Sequence, residues 1–111
     1  MTLKSLTLDE LEVIRRTMLT TFDHFTFDFD ARMGIDANEM RALLDSWPNV
    51  DDSDDESIAC LAINNSLNDL LHGEGISKAE ALEKIGVDKA EMRRVYDKWA
   101  AARGWKGTGV R

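Results

Sequence analysis

The chain of 111 residues holds one cysteine, Cys60, one proline, Pro48, and two histidines, His24 and His72. A lone cysteine cannot close an intramolecular disulfide and suits a reducing compartment. One cysteine and two histidines at no ligand spacing argue against a zinc site. Gly-rich phosphate loops, nucleophile elbows and Cys/His pairs are missing as well, and carboxylates alone define no pocket. The chain therefore reads as a non-enzymatic protein without cofactor or metal. No run approaches the roughly 18 consecutive apolar residues of a membrane span. The start, Met-Thr-Leu-Lys, leads into a capped, charged helix without the basic and apolar regions of a leader. A cytoplasmic protein with no membrane contact is expected.

Basic charge is also scarce. Fourteen Lys/Arg face twenty-one Asp/Glu, for a net charge of −7. This argues against phosphate binding over the whole surface, because nucleic-acid affinity rests on neutralising phosphates. The average conceals two poles. Residues 86–111 carry seven bases (Lys89, Arg93, Arg94, Lys98, Arg103, Lys106 and Arg111) against three acids, for +4. Residues 1–85 carry seven bases against eighteen acids, for −11. Such poles favour steered association with a charged partner or head-to-tail self-association, including a homodimer. The competing explanation is local: cations near a helix C-terminus complement its dipole.

What is abundant is helix punctuation. A polar cap followed three residues later by Glu occurs at Thr7/Glu10, Asp36/Glu39, Ser53/Glu56, Ser77/Glu80 and Asp88/Glu91. In each such box the cap side chain takes an orphan N–H of the first turn, and the Glu reaches back to the cap's own N–H. Pro48, Gly34, Gly73 and Gly86 supply stops. These signals predict helices over 8–23, 37–47, 54–72, 78–85 and 89–103, with a shorter one over 27–33. Phe25, Phe27 and Phe29 alternate at period two, but the run is too isolated to pair into a sheet. The expected fold is all-α with about six helices.

A repeat organises these helices. Gly34 through Trp47 aligns without gaps on Gly86 through Trp99, with seven of the fourteen positions identical. Upstream, Ile14, Met18 and Phe22 match Ile63, Leu67 and Leu71 in spacing. The predicted plan is one helical domain over 1–111: repeat one at 7–48, an acidic linker at 49–56, repeat two at 57–103 and a flexible basic tail at 104–111. Halves of about fifty residues are expected to share one core, packed as a pseudo-twofold bundle.

Each repeat contains a pair of helices resembling a helix-turn-helix, a general motif and not a family signature. Ser77 through Tyr96 passes through Ile85-Gly86-Val87 into a helix bearing Lys89, Arg93, Arg94 and Lys98. In a DNA-binding version those bases would meet phosphates and base edges. Two departures count against it. The position four before the turn glycine is usually small, but here it is Leu82, and Asp30 in the first copy. The equivalent helix of the first copy offers a single base, Arg41.

Other candidates have simpler explanations. The run Asp51, Asp52, Asp54, Asp55, Glu56 fails as a calcium loop, since its sixth and twelfth positions are Glu56 and Ala62 instead of Gly and Glu. It reads as a solvated linker with carboxylates to spare for a basic partner. Asn64 and Arg15 fall within the apolar wedges of their helices and are expected as buried polar groups, binding backbone carbonyls or a carboxylate between the halves. Trp47 and Trp99 read as core anchors. Trp105, between cations in the glycine-rich tail, suits docking onto a partner.

The leading expectation is thus a helical adaptor or regulator acting by protein–protein binding. Its surface would be Arg93, Arg94, Lys98 and Trp105, or in reverse the acidic linker. The alternative is a helix-turn-helix nucleic-acid-binding regulator using the last helix.

Overall fold

Caps decide where most of the helices begin. In the computed structural model, which describes residues 2–24, 34–54, 56–72 and 77–104, regular structure is entirely helical among those residues. Helix α1 runs over Leu8–His24, α2 over Ala37–Ser46, α3 over Ile58–His72 and α5 over Lys89–Ala102. Between the last two, α4 opens as an α turn over Lys78–Glu80 and continues as a π turn over Ala81–Ile85. A 3₁₀ turn, Thr2–Ser5, precedes α1. The expected short helix at 27–33 and the Phe25, Phe27 and Phe29 run lie outside the described residues.

Three capping boxes close in both directions. At the first, Glu10 N–H donates to Thr7 Oγ1 at 3.1 Å and Thr7 N–H to Glu10 Oε1 at 2.8 Å. Asp36/Glu39 and Ser77/Glu80 do the same. At α5, Asp88 accepts from Glu91 N–H at 2.9 Å, while the Glu91 carboxylate receives Arg94 at 2.8 and 2.6 Å. The Ser53/Glu56 box is a correction. There Asp51 Oδ1 accepts from Ser53 N–H and Asp54 Oδ1 from Glu56 N–H, both at 2.9 Å, so short Asp turns use the backbone that a helix would need. Helix α3 starts four residues later than 54, with Ser57 Oγ accepting from Cys60 N–H at 3.2 Å.

The π turn changes which residues of α4 face inward. Gly86 N–H donates to Ala81 O, five residues back, at 3.0 Å, and Gly86 takes the left-handed φ of 89°. Widening the turn by one residue buries Ala81 completely and leaves Leu82 52% exposed. The small residue that close packing of such a hairpin needs is therefore present, one position earlier than the α register implies.

Helix α1 packs on α3 most extensively, and also on α2, the π turn and α5. One apolar cluster runs through the described parts of both halves, from Leu3 and Leu6 through Ile14, Met18, Met40, Ile63 and Leu67 to Met92 and Trp99. Three buried threonines line α1. Thr17, Thr20 and Thr21 donate their hydroxyls to the carbonyls of Val13, Arg16 and Thr17 at 2.7–2.9 Å, which makes their burial tolerable. A Cα radius of gyration of 12.5 Å matches the roughly 13 Å expected of a folded chain this long, so the halves do not stand apart. Among the described residues, no helix is long and apolar enough to cross a membrane.

Candidate functional site

The acidic linker enters the core. Asp52 is fully buried, and its Oδ2 accepts from the Trp99 indole N–H at 2.9 Å. The Arg103 guanidinium lies 3.5 Å from the same oxygen, donates to the Asp52 carbonyl, and sits 5.4 Å above the Trp99 ring. The expectation of a wholly solvated linker fails here, because Asp52 finds a donor and a cation on the last helix and its C-cap. Its neighbour Asp51 stays exposed.

The basic face of α5 meets a counter-charge of its own. Glu10 on α1 has a side chain only 6% exposed and receives Lys98 Nζ at 2.7 Å and Arg94 Nη1 at 3.0 Å. Burial alone would raise its pKa. The hydrogen bonds from Lys98, the Thr7 backbone and Arg94 outweigh it, and hold the carboxyl at about 2 against an ordinary 4.5. Two of the three bases expected to greet a partner are thus committed within the chain. Arg93 is half-buried and has an interaction of its own. Trp105 lies outside the described residues, as do the side chains of His24 and His72.

The two expected buried polar residues part company. Arg15 is 37% exposed and forks onto Glu12 of its own helix at 2.8 and 2.5 Å, a contact within one half and not between the halves. Glu12 also takes Arg16 at 2.8 Å, and the Arg15 bonds, helped by Arg16, pull its carboxyl to about 2 against the opposing effect of burial. Asn64 is half-buried and accepts the Tyr96 hydroxyl at 2.5 Å. Its partner is a phenol within the same half, where a carbonyl or carboxylate across the halves was expected. Tyr96 in turn stacks on Trp99 with ring centroids 6.2 Å apart. Burial, then nearby Asp97 and Cys60, pushes the Tyr96 pKa upward.

The two matched tryptophans anchor differently. Trp99 is completely buried, whereas Trp47 is half-buried and donates its indole N–H to the Leu11 carbonyl at 3.2 Å.

Two of the concavities among the described residues are large. A cleft of about 490 Å³ between α1 and the α4–α5 turn is lined by Glu10, Glu12, Glu91, Arg16 and Arg94 among others, and these five charges pair with one another or with Lys98 and Arg15. The other is an open groove of about 530 Å³ between α2, the linker and the start of α3. Leu43, Val50 and the 41%-exposed Ile58 give it an apolar floor. Its ionisable rim is Asp36, Glu39 and Asp51, and none of the described residues lining it is Lys or Arg. Sequence reasoning placed Asp51 in a partner-facing run but missed the groove, which two consecutive helices and the irregular segment between them form. No family model matches the chain, and neither a curated protein nor a solved structure matches it.

Proposed function

We propose that the chain is a non-enzymatic helical adaptor or regulator that binds another protein through the acid-rimmed groove between α2 and α3. One observation carries the reading: an open groove whose apolar floor, with Ile58 exposed, lies beneath a rim of a single charge sign. An apolar floor under a rim of one sign offers a partner both burial and charge complementarity. The acidic pole thus takes precedence over Arg94 and Lys98, whose charges Glu10 already uses.

The test is a photo-crosslinking side chain at Ser46, an exposed groove residue, in the cells that make the protein. A discrete adduct that disappears when Ala42→Trp fills the groove supports the reading. Absence of any adduct, or one indifferent to that substitution, removes it.

We further infer that the two sequence repeats fold alike about a pseudo-twofold axis. In support, Gly34 and Gly86 both take left-handed φ values, 73° and 89°, and Asp36 and Asp88 both cap the helix that follows.

A nucleic-acid-binding regulator using α5 is the second reading. The observation in its favour is the π turn, which supplies the small buried Ala81 where Leu82 had counted against a close hairpin. Low-salt gel retardation of random duplex separates the two readings. The adaptor reading expects none, and binding that weakens on Arg93→Ala with Arg94→Ala would favour the nucleic acid.

A further inference from the structure

The repeat pairs two helix faces in sequence. In the gapless alignment Glu39, Ala42 and Ser46 of α2 stand where Glu91, Arg94 and Lys98 stand on α5. On α5 that face pairs with another helix at one point: Glu10 of α1 receives Arg94 and Lys98, whose side chains stay 52% and 40% exposed. On α2 the same positions line the groove, and Ala42 and Ser46 are exposed. Alanine and serine one turn apart leave room for close approach where α5 carries two long cations.

The charge is inverted as well. The α5 face supplies cations and receives a carboxylate. The α2 face supplies none, and Asp36, Glu39 and Asp51 surround it with carboxylates. All three carboxylates also accept a backbone N–H bond.

We propose that the groove takes one amphipathic helix of a partner protein, laid with its apolar side on Leu43, Val50 and Ile58 and its Lys or Arg residues against Asp36, Glu39 and Asp51. This rests on the reading of the groove as a docking site and adds what docks there. Helix-in-groove recognition supplies the geometry, with apolar anchors three and four residues apart. Charge complementarity supplies the sign.

The probe is a pair of labelled amphipathic helical peptides of about 15 residues, the length at which an isolated helix becomes marginally stable. Both have the same Leu/Ala face, and the polar positions are Lys in one and Glu in the other. Fluorescence anisotropy at low salt should give the lysine peptide at least about tenfold tighter binding, a difference of 1.4 kcal/mol. Its amide shift changes should centre on Ala42, Leu43, Ile58 and Ala59. Ala42→Trp should abolish binding, and Asn38→Lys with Asn49→Lys, which add cations beside the rim without removing a cap, should erase the preference.

Equal binding of both peptides, a preference for the glutamate peptide, or no binding of either overturns the inference. If either of the first two is blocked by Ala42→Trp, the groove still stands as a docking site and only the partner's chemistry is wrong. Shifts confined to Asp9, Glu12 and Arg16 overturn it in favour of the other cleft. Sedimentation that shows a dimer lost on Ala42→Trp also overturns it, because the occupant is then a second copy. Circular dichroism of each variant shows that the fold is intact.

Discussion

Trp99 and Asp52 are joined by a 2.9 Å hydrogen bond in a position closed to solvent, 47 residues apart in sequence. This bond fastens the segment between the halves to the last helix, and Arg103 completes it with a side chain only 3% exposed. Asp52→Ala strands that guanidinium and should cost about 3–5 kcal/mol, the usual consequence of removing one partner of a buried pair. Asp51→Ala, at an exposed position that makes only a local turn, should cost under about 1 kcal/mol. Urea denaturation of the two variants tests the contrast, and similar losses would count against the buried placement of Asp52.

Glu10 makes stability depend on acid. Its folded-state pKa of about 2 lies below the ordinary 4.5, so its contribution is present above about pH 5 and is lost as pH falls through 4.5 toward 2. Glu10→Gln should lose about 2 kcal/mol at neutral pH, in the range for hydrogen bonds to charged groups. In urea melts across pH 2–7, the gap between the two proteins should shrink from pH 4.5 downward and close near pH 2. A gap that stays constant over that range would remove the ion pairs from the account.

The π turn predicts an inversion of ordinary expectation. Ala81→Leu overfills a fully buried site and should cost about 1–3 kcal/mol, whereas Leu82→Ala removes an exposed side chain and should stay within about 0.5 kcal/mol. An uninterrupted α-helix would reverse the order. Equilibrium denaturation decides between the two registers.

Tyr96→Phe deletes the hydroxyl that Asn64 accepts at 2.5 Å and keeps the ring stacked on Trp99. The expected loss is about 1 kcal/mol. Asn64→Ala in the Tyr96→Phe background should cost less than in the native chain, and full additivity in that double-mutant cycle would show that the two side chains do not interact.

Local signals were legible and long-range ones were not. Thr7/Glu10, Asp36/Glu39 and Ser77/Glu80 announced helix starts because a capping box is complete within four residues. Ser53/Glu56 has the same pattern but loses to the Asp turns and to the pull of Asp52 into the core, which only the position of Trp99 reveals. Arg94 and Lys98 read as a free basic face because their counter-ion, Glu10, lies more than eighty residues away. Glu10 itself was assigned to a cap, and it does that as well. The groove brings Leu43, Val50 and Ile58 together through a turn with no period of its own, so no pattern in the chain foretold it.

The π turn at Ala81–Ile85 also bears on how kin of this chain can be told from chance likeness. A relative with an unbroken α-helix there should have its small inward residue four positions ahead of the glycine and one residue fewer in the segment. Ancestry would then show as a single-residue gap coupled to a shifted alanine, two changes that an insertion arising at random has no reason to make together.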